Sequence, residues 1–320
     1  IDFTIVNPWR SFSAAENGLL VTMTPPIRKR VKIMWVDRQG KQTSEIPNLD
    51  NVDEMTISPA GQKLLLERID FRTQKCDLWI HDIGRGITSR LTFHPEYWFT
   101  PRFEWSRDGM WVYFSTSRNI FRKPSIGAGE EQTVYEYENV IMPEDISIDG
   151  KLLLFSEVQM PTNFNLMVLP LSGNQKPYPF LQTPFNEMHG KFSPDGKWVV
   201  FDSDKSGTFE VYVRPFEHPD QSEIQVSTSG GLYGQWRSDG KEIIFDSSYS
   251  DNRMMAVDVK YGPSGLELGV PHALFSEPTQ AIAMTSLPNF SGFLFAVNTT
   301  EEQTSLPLNL VTNWPALLQH

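Results

Sequence analysis

The sequence has only one cysteine, Cys76, which excludes an internal disulfide framework and a metal site built from several cysteines of one chain. It has no stretch that approaches 18 consecutive apolar residues, so we expect no direct membrane insertion of this segment. Positive charge is scarce, because 28 Lys and Arg stand against 39 Asp and Glu, and the net charge is −11. A chain with this excess of acidic residues lacks the basic surface that binds DNA or RNA, and we expect no nucleic-acid partner.

Helical periodicity is also hard to find along the chain. The 23 prolines and 21 glycines are spaced too closely for helices longer than two or three turns. Short runs of β-branched and aromatic residues lie between these breakers. The pattern predicts one all-β domain over residues 1–320.

A recurring phrase organises the chain: a short apolar lead, Ser, a variable residue, Asp and Gly, followed by a run of β-forming residues. The clearest copy is Phe192–Phe201, and close or looser copies place their glycines at positions 61, 109, 150 and 240. Two degenerate copies end at Gly18 and Gly292, which makes seven glycines spaced 41 to 52 residues apart. This period matches one four-stranded blade of a β-propeller, about 40–50 residues.

The phrase itself predicts a tight hairpin, since Asp-Gly supplies the positive φ that a two-residue turn requires. Each hairpin would join the inner strand of a blade to the next strand out, and Lys32–Val36 would be the third strand of the first unit. Seven units predict seven four-stranded blades, with six as the alternative if a degenerate copy is not a blade. We expect the N-terminal strand, Ile1–Val6 within residues 1–10, to close the ring as the outer strand of the last blade.

The phrase at Phe192–Lys197 and its copies resemble the Pro-Asp-Gly repeats of TolB-like propellers. More specifically, Trp35–Lys41, Pro179–Glu187 and Val211–Phe216 resemble the propeller region at the carboxyl end of membrane-anchored Ser/Thr kinase-like proteins of Acidobacteria. The resemblance covers nearly the whole chain, although Ala60 replaces Asp in one repeat and the last repeat has lost Asp-Gly.

This resemblance implies a bacterial sensor or protein-interaction module that works outside the cytoplasm, for example in the periplasm. Any kinase domain and membrane helix would lie upstream of it. The family has no settled ligand and supplies no catalytic residues to carry over.

The residues that precede each phrase are the candidate site. In a propeller the segments entering the innermost strands converge at the mouth of the central channel, although they are distant in sequence. Here these segments are polar and mostly acidic, and the predicted ligand-binding residues are Glu54, Arg102, Glu144, Glu187, His189, Tyr233 and Gln235. Such a mouth could bind a cation or a carbohydrate-type ligand, with Tyr233 as a stacking face. The alternative is that these side chains hydrate a water-filled channel and cap strand ends.

No nucleophile elbow, zinc-protease motif, phosphate-binding loop or kinase motif occurs in the sequence, and its six histidines fall in scattered strands and loops. We therefore expect no cofactor, with a divalent cation in the channel as the one alternative.

The favoured hypothesis is a non-catalytic propeller that binds a small molecule, a glycan or a protein. The runner-up is a hydrolase or lyase in which Glu144, Glu187 and His189 serve as acid and base at the channel mouth. A third hypothesis is a structural spacer between other domains.

Overall fold

The computed structural model describes residues 12–14, 19–23, 30–70, 75–93, 102–159, 163–173, 176–218, 223–247, 251–262, 265–299 and 308–312. All regular elements in these ranges are β-strands. The described ranges therefore contain no helix that could span a membrane.

The strands form one three-stranded sheet and six larger sheets. The first four strands are β1 (Phe12–Ala14), β2 (Leu19–Met23), β3 (Arg30–Asp37) and β4 (Gln42–Asp50). Blade 1 contains β5 (Val52–Ile57), β6 (Lys63–Asp70), β7 (Lys75–Asp82) and β8 (Ile87–Arg90). Blade 2 contains β9 (Phe103–Trp105), β10 (Trp111–Thr116), β11 (Asn119–Pro124) and β12 (Gln132–Glu136).

Blades 3 to 5 follow in chain order. Blade 3 contains β13 (Val140–Ile146), β14 (Leu152–Gln159), β15 (Asn163–Pro170) and β16 (Tyr178–Leu181). Blade 4 contains β17 (Glu187–Phe192), β18 (Trp198–Ser203), β19 (Glu210–Pro215) and β20 (Ile224–Gln225). Blade 5 contains β21 (Leu232–Trp236), β22 (Glu242–Asp246) and β23 (Arg253–Gly262), with both β24 (Gly265–Leu268) and β25 (His272–Ser276) paired to β23.

Blade 6 joins the two ends of the ring. Its inner strands are β26 (Ala281–Ser286) and β27 (Gly292–Asn298), and its outer strands are β3 and β4 from the other end of the chain. The pairing of β27 with β3 is continuous from Gly292 opposite Asp37 to Asn298 opposite Val31. This antiparallel pairing of an N-terminal strand with a C-terminal strand closes the ring.

Six hydrophobic clusters hold neighbouring blades together, and each draws its side chains from two adjacent blades. At the closing interface, Val31 and Leu294 of blade 6 pack with Leu64 of blade 1, and all three are fully buried. The inner strands β26 and β5 also contact each other directly. The ring is therefore complete with six blades and leaves no place for a seventh.

The prediction of seven blades is wrong, and the six-bladed alternative is confirmed. The first degenerate repeat forms the hairpin β1–β2, which pairs with β28 (Leu308–Thr312) in the three-stranded sheet rather than in a blade. The segment Lys32–Val36, expected in the first unit, belongs to blade 6 because β3 pairs with β27. The predicted closing strand at residues 1–10 lies outside the described residues.

The repeat phrase forms a hairpin between the first two strands of each blade, as predicted, but the loop is longer than the two-residue turn expected. Ser106 N donates to the carbonyl oxygen of Trp111, which leaves residues 107–110 in the loop. In blade 2, Ser106 Oγ donates to Asp108 Oδ1 at 2.6 Å and accepts from Trp111 N at 2.8 Å, while Gly109 has a φ of 68°. The same Ser-to-Asp bond recurs at Ser147 and Ser193. Serine thus ties the turn to the next strand, and the glycine provides the left-handed conformation that closes it.

Candidate functional site

The inner strands surround a central cavity of about 500 Å³. In five of the six blades the inner strand changes register against its neighbour, at Val52/Met55, Pro143/Asp145, Met188/Lys191, Leu232/Gln235 and Ala281/Ala283. The residues within these bulges include Asp53, Glu54, Glu144, His189, Tyr233 and Ile282, and all of these line the cavity. A β-bulge redirects side chains relative to the regular alternation of a strand. Repeated bulges therefore place the polar side chains of different blades around one cavity.

Two of these bulges hold a non-glycine residue in the left-handed region. The φ angles are 54° at His189 and 56° at Tyr233, and each residue is followed by glycine. Such conformations are uncommon outside glycine and concentrate where the surrounding structure imposes them. The backbone of blades 4 and 5 is thus fixed in an uncommon form where it presents two aromatic rings to the cavity.

The glycine after each ring is required by close packing between blades. A Cβ atom at Gly234 would lie 2.7 Å from methyl carbons of both Val200 and Val211, which are fully buried. We expect Gly234→Ala to lower the free energy of unfolding by about 1–3 kcal/mol, because the packed valines of blade 4 cannot move away. Urea denaturation measures this loss. Gly84→Ala is the matched control, since its nearest neighbour is a side-chain oxygen at 3.7 Å, and an equal loss in both variants would contradict the packing explanation.

Two cations cross-link the blades around the cavity. Arg102 Nη1 donates to Glu54 Oε1 at 2.6 Å and so joins blades 2 and 1. Lys191 Nζ donates to Glu104 Oε2 at 2.5 Å and to the carbonyl oxygen of Glu144, which joins blade 4 to blades 2 and 3. Burial alone would lower the pKa of Lys191, but the charges of Glu104 and Asp145 raise it above its usual value. Both cations are therefore charged, and both are already paired with carboxylates.

His189 and Tyr233 form an aromatic pair with ring centroids 4.3 Å apart. Beneath them, Asp202 is fully buried, and its Oδ2 lies 2.8 Å from His189 Nδ1 and accepts from Tyr233 N, also at 2.8 Å. Burial raises the pKa of Asp202, whereas the bond to His189 opposes that shift. One carboxyl group thus holds the ring of His189 and the backbone of Tyr233.

Glu67 is the most unusual side chain of the cavity wall. It is 0% exposed, and its Oε1 accepts from Cys76 Sγ at 2.9 Å. Its Oε2 is buried without a hydrogen-bond partner in the described part of the chain. Burial raises the pKa of Glu67 to about 8, with Glu54 and Asp53 adding to the shift and Arg102 opposing it. Glu67 is therefore mostly protonated at pH 7 when the cavity contains no cation.

The raised pKa of Glu67 makes stability depend on pH. A carboxyl group whose folded pKa lies above its unfolded value stabilises the fold fully at low pH and loses this contribution as pH rises to the folded pKa. We expect the free energy of unfolding of the wild type, relative to Glu67→Gln, to fall by on the order of 2–4 kcal/mol between pH 4.5 and 8. Paired urea titrations across this range measure it, and the subtraction removes the effect of the other titrating groups. A difference that stays constant with pH would contradict the burial of an ionisable Glu67.

A pair of carboxyl groups lies on the cavity wall between blades 5 and 6. Glu277 and Asp246 are hydrogen-bonded to each other, and Asp246 Oδ1 and Glu277 Oε1 are buried without another partner among the described residues. Burial and the neighbouring Asp246 raise the pKa of Glu277 to about 8. The wall between this pair and Glu67 is the apolar strand β26, including Ala281, Ile282 and Met284.

The structure brings six of the seven predicted site residues into one cavity: Glu54, Arg102, Glu144, His189, Tyr233 and Gln235. Glu187 does not line it, because its side chain is buried and accepts from Thr183 Oγ1. Six ionisable cavity residues were not among the seven predicted site residues, namely Asp53, Glu67, Glu104, Lys191, Asp246 and Glu277. Within the described ranges, no group of three or more His, Cys, Asp or Glu side chains is arranged to hold a metal ion.

Neither a family model nor a curated protein matches this chain. Solved structures do resemble it. A protein assigned as TolB from Agrobacterium tumefaciens has a TM-score of 0.65 and 16% identity over 85% of this chain and 99% of the other. TolB from Acinetobacter baumannii has a TM-score of 0.54 and 12% identity over 85% of this chain and 64% of the other. An oligogalacturonate lyase in complex with manganese has a TM-score of 0.50 and 13% identity over 91% and 97%.

At these identities the likeness concerns the fold, and it supports the TolB-like β-propeller expected from the repeats. The same fold occurs in the TolB proteins and in a lyase. The chemistry of the cavity must therefore carry any functional assignment.

Proposed function

We propose that this propeller is a non-catalytic binding module that holds a small polar ligand in its central cavity. The observation that carries the proposal is the set of inner-strand bulges, which direct polar side chains from separate blades into one cavity of about 500 Å³. A cavity of this size, with convergent polar groups, falls in the range of small-molecule sites.

The buried carboxyl groups of the cavity wall are candidate acceptors for a ligand. Glu67 Oε2 has no hydrogen-bond partner in the described ranges, and the side chains of Asp246 and Glu277 are hydrogen-bonded to each other. A ligand with hydrogen-bond donors would supply Glu67 with a partner and could donate to the carboxyl pair. A sensor role, a glycan or protein partner and a location outside the cytoplasm belong to the same proposal and rest on the resemblance to TolB-like propellers.

The test is a thermal-shift screen of amines, sugars, amino acids and divalent cations against the intact protein. Compounds that stabilise the wild type are then titrated against the double variant Glu144→Gln/His189→Gln, and we expect at least a tenfold loss of affinity. The matched control is Glu136→Gln/His218→Gln, which alters the same residue types at exposed positions. Unchanged binding both in this variant and in Glu67→Gln would overturn the proposal.

One observation favours a second candidate, a hydrolase or lyase. His189 is held by buried Asp202 and lines the cavity, an arrangement that suits a general acid or base. Turnover of a ligand found in the screen, lost in His189→Gln while binding persists, would select this candidate. Binding without turnover selects the binding module.

A further inference from the structure

We propose that the ligand of the cavity is an aliphatic diamine or polyamine, with one ammonium group at Glu67, a second at the Asp246–Glu277 pair, and the methylene chain along β26. This inference rests on the proposed function and names the chemical class of the ligand.

The first ammonium site is defined by a buried acceptor. Glu67 lines the cavity at 0% exposure, and its Oε2 has no partner among the described residues. The charged and titratable groups around it are Cys76 on β7, Asp53 and Glu54 on β5, and Arg102 before β9. Asp53 and Glu54 are acidic, burial raises the pKa of Cys76 and keeps it a neutral thiol, and Arg102 is engaged with Glu54. The acceptor therefore faces a surrounding that favours an added cation.

The second ammonium site lies between blades 5 and 6, across β26 from Glu67. Asp246 ends β22 of blade 5, and Glu277 precedes β26 of blade 6. Two carboxyl groups in contact cannot both ionise readily, which is why Glu277 holds a proton at neutral pH. A cation at this pair removes the repulsion, because its N–H groups can donate to Asp246 Oδ1 and Glu277 Oε1.

The wall between the two sites decides the ligand class. Strand β26 presents Ala281, Ile282, Ala283 and Met284 to the cavity. These side chains are half-buried, and a methylene chain lying along them would bury apolar area there. A single metal ion does not fit, because the described residues contain no cluster of three or more metal-ligating side chains. The two carboxyl sites match the two ammonium groups of a diamine, and the apolar side chains between them match its methylene chain.

Binding should also release protons. Glu67 and Glu277 have pKa values of about 8 in the free protein, and a bound ammonium stabilises their ionised forms. Below pH 8 the affinity should therefore rise with pH, by up to about tenfold per unit for each proton released, and level off above it. An amine stays charged until about pH 10.

The experiment is isothermal titration calorimetry of the intact protein with 1,4-diaminobutane, 1,5-diaminopentane and spermidine at pH 6 to 8.5. Butylamine and 1,4-butanediol are the ligand controls, because each lacks one or both charges. We expect the diamines to bind at least tenfold more tightly than butylamine, and the diol not to bind. Titration in two buffers of different ionisation enthalpy should show net proton release by the wild type, a result that needs no variant to fold.

Glu67→Gln and Glu277→Gln keep the shape of each side chain, and each should lower diamine affinity at least tenfold and remove part of the pH dependence. Glu136→Gln, an exposed position on β12, is the matched control and should change nothing. Equal affinity for butylamine and the diamines, binding without proton release, or unchanged binding in both cavity variants would overturn the inference.

If other compounds of the screen bind in a manner sensitive to Glu144 and His189 while no diamine binds, the diamine inference fails and the binding module stands. If no compound binds in the cavity, both fail.

Discussion

A chain that begins at residue 51 and ends at residue 299 is expected to lose its cooperatively folded state, whereas a chain spanning residues 30–299 is expected to keep it. The difference between them is the pair β3–β4, which supplies the two outer strands of blade 6. Its removal takes away the buried side chains Val31, Ile33, Val36 and Leu49 and leaves β27 as an unpaired edge. Four such side chains contribute about 6–12 kcal/mol, which compares with a total stability of about 5–15 kcal/mol for a typical domain.

Urea unfolding followed by circular dichroism and tryptophan fluorescence distinguishes the two chains. A single cooperative transition is expected for residues 30–299, and a gradual loss of signal for residues 51–299. If the longer chain also fails to fold, closure requires residues outside it, such as the strand predicted at residues 1–10. If both chains fold equally well, β3 and β4 are not required to close the ring.

Asp145→Asn is expected to destabilise the protein by about 1.5–3 kcal/mol, because an amide cannot accept all of the hydrogen bonds that the carboxylate accepts at the centre of a three-blade junction. Asp145 is buried, and both of its oxygens lie 2.8 Å from Arg107 Nη2 of the neighbouring turn. Its Oδ2 also accepts from Phe192 N of blade 4 at 2.8 Å. Asparagine keeps the size of the side chain but leaves the guanidinium of Arg107 without its carboxylate.

The matched control for this junction is Asp258→Asn, the same change at an exposed position on β23. We expect the control to change the free energy of unfolding by less than about 0.5 kcal/mol. Denaturant midpoints of both variants and the wild type measure the effect. A loss below 1 kcal/mol for Asp145→Asn would show that the blade interfaces, rather than this junction, hold blades 2 to 4 together.

The blade hairpins could be predicted from sequence because their signal is local. Ser, Asp and Gly at fixed spacing determine the turn by themselves, as the bonds of Ser106 and Ser193 show. The number of blades depends instead on long-range pairing. Lys32–Val36 follows the first repeat along the chain but pairs with β27, about 260 residues later. Local spacing carries no information about such a partner, and seven repeat phrases therefore gave six blades.

The candidate site was partly predictable for a related reason. Residues entering the inner strands were expected at the channel mouth, and Glu54, Glu144 and Tyr233 do line the cavity. The sequence pattern does not predict the bulges that orient these residues. It also does not predict that the side chain of Glu187 accepts a hydrogen bond from Thr183 instead of lining the cavity. Glu67 was missed because it directly follows the apolar run Leu64–Leu66 and looks like an ordinary strand residue.

The most direct test of the cavity as the binding site is a crystal structure of the protein grown with the tightest-binding compound from the screen. We expect density for that compound inside the cavity, within hydrogen-bonding distance of Glu67 Oε2 or the Asp246–Glu277 pair and beside the rings of His189 and Tyr233. A compound bound only on the outer faces of the blades, with water alone in the cavity, would contradict the proposed function.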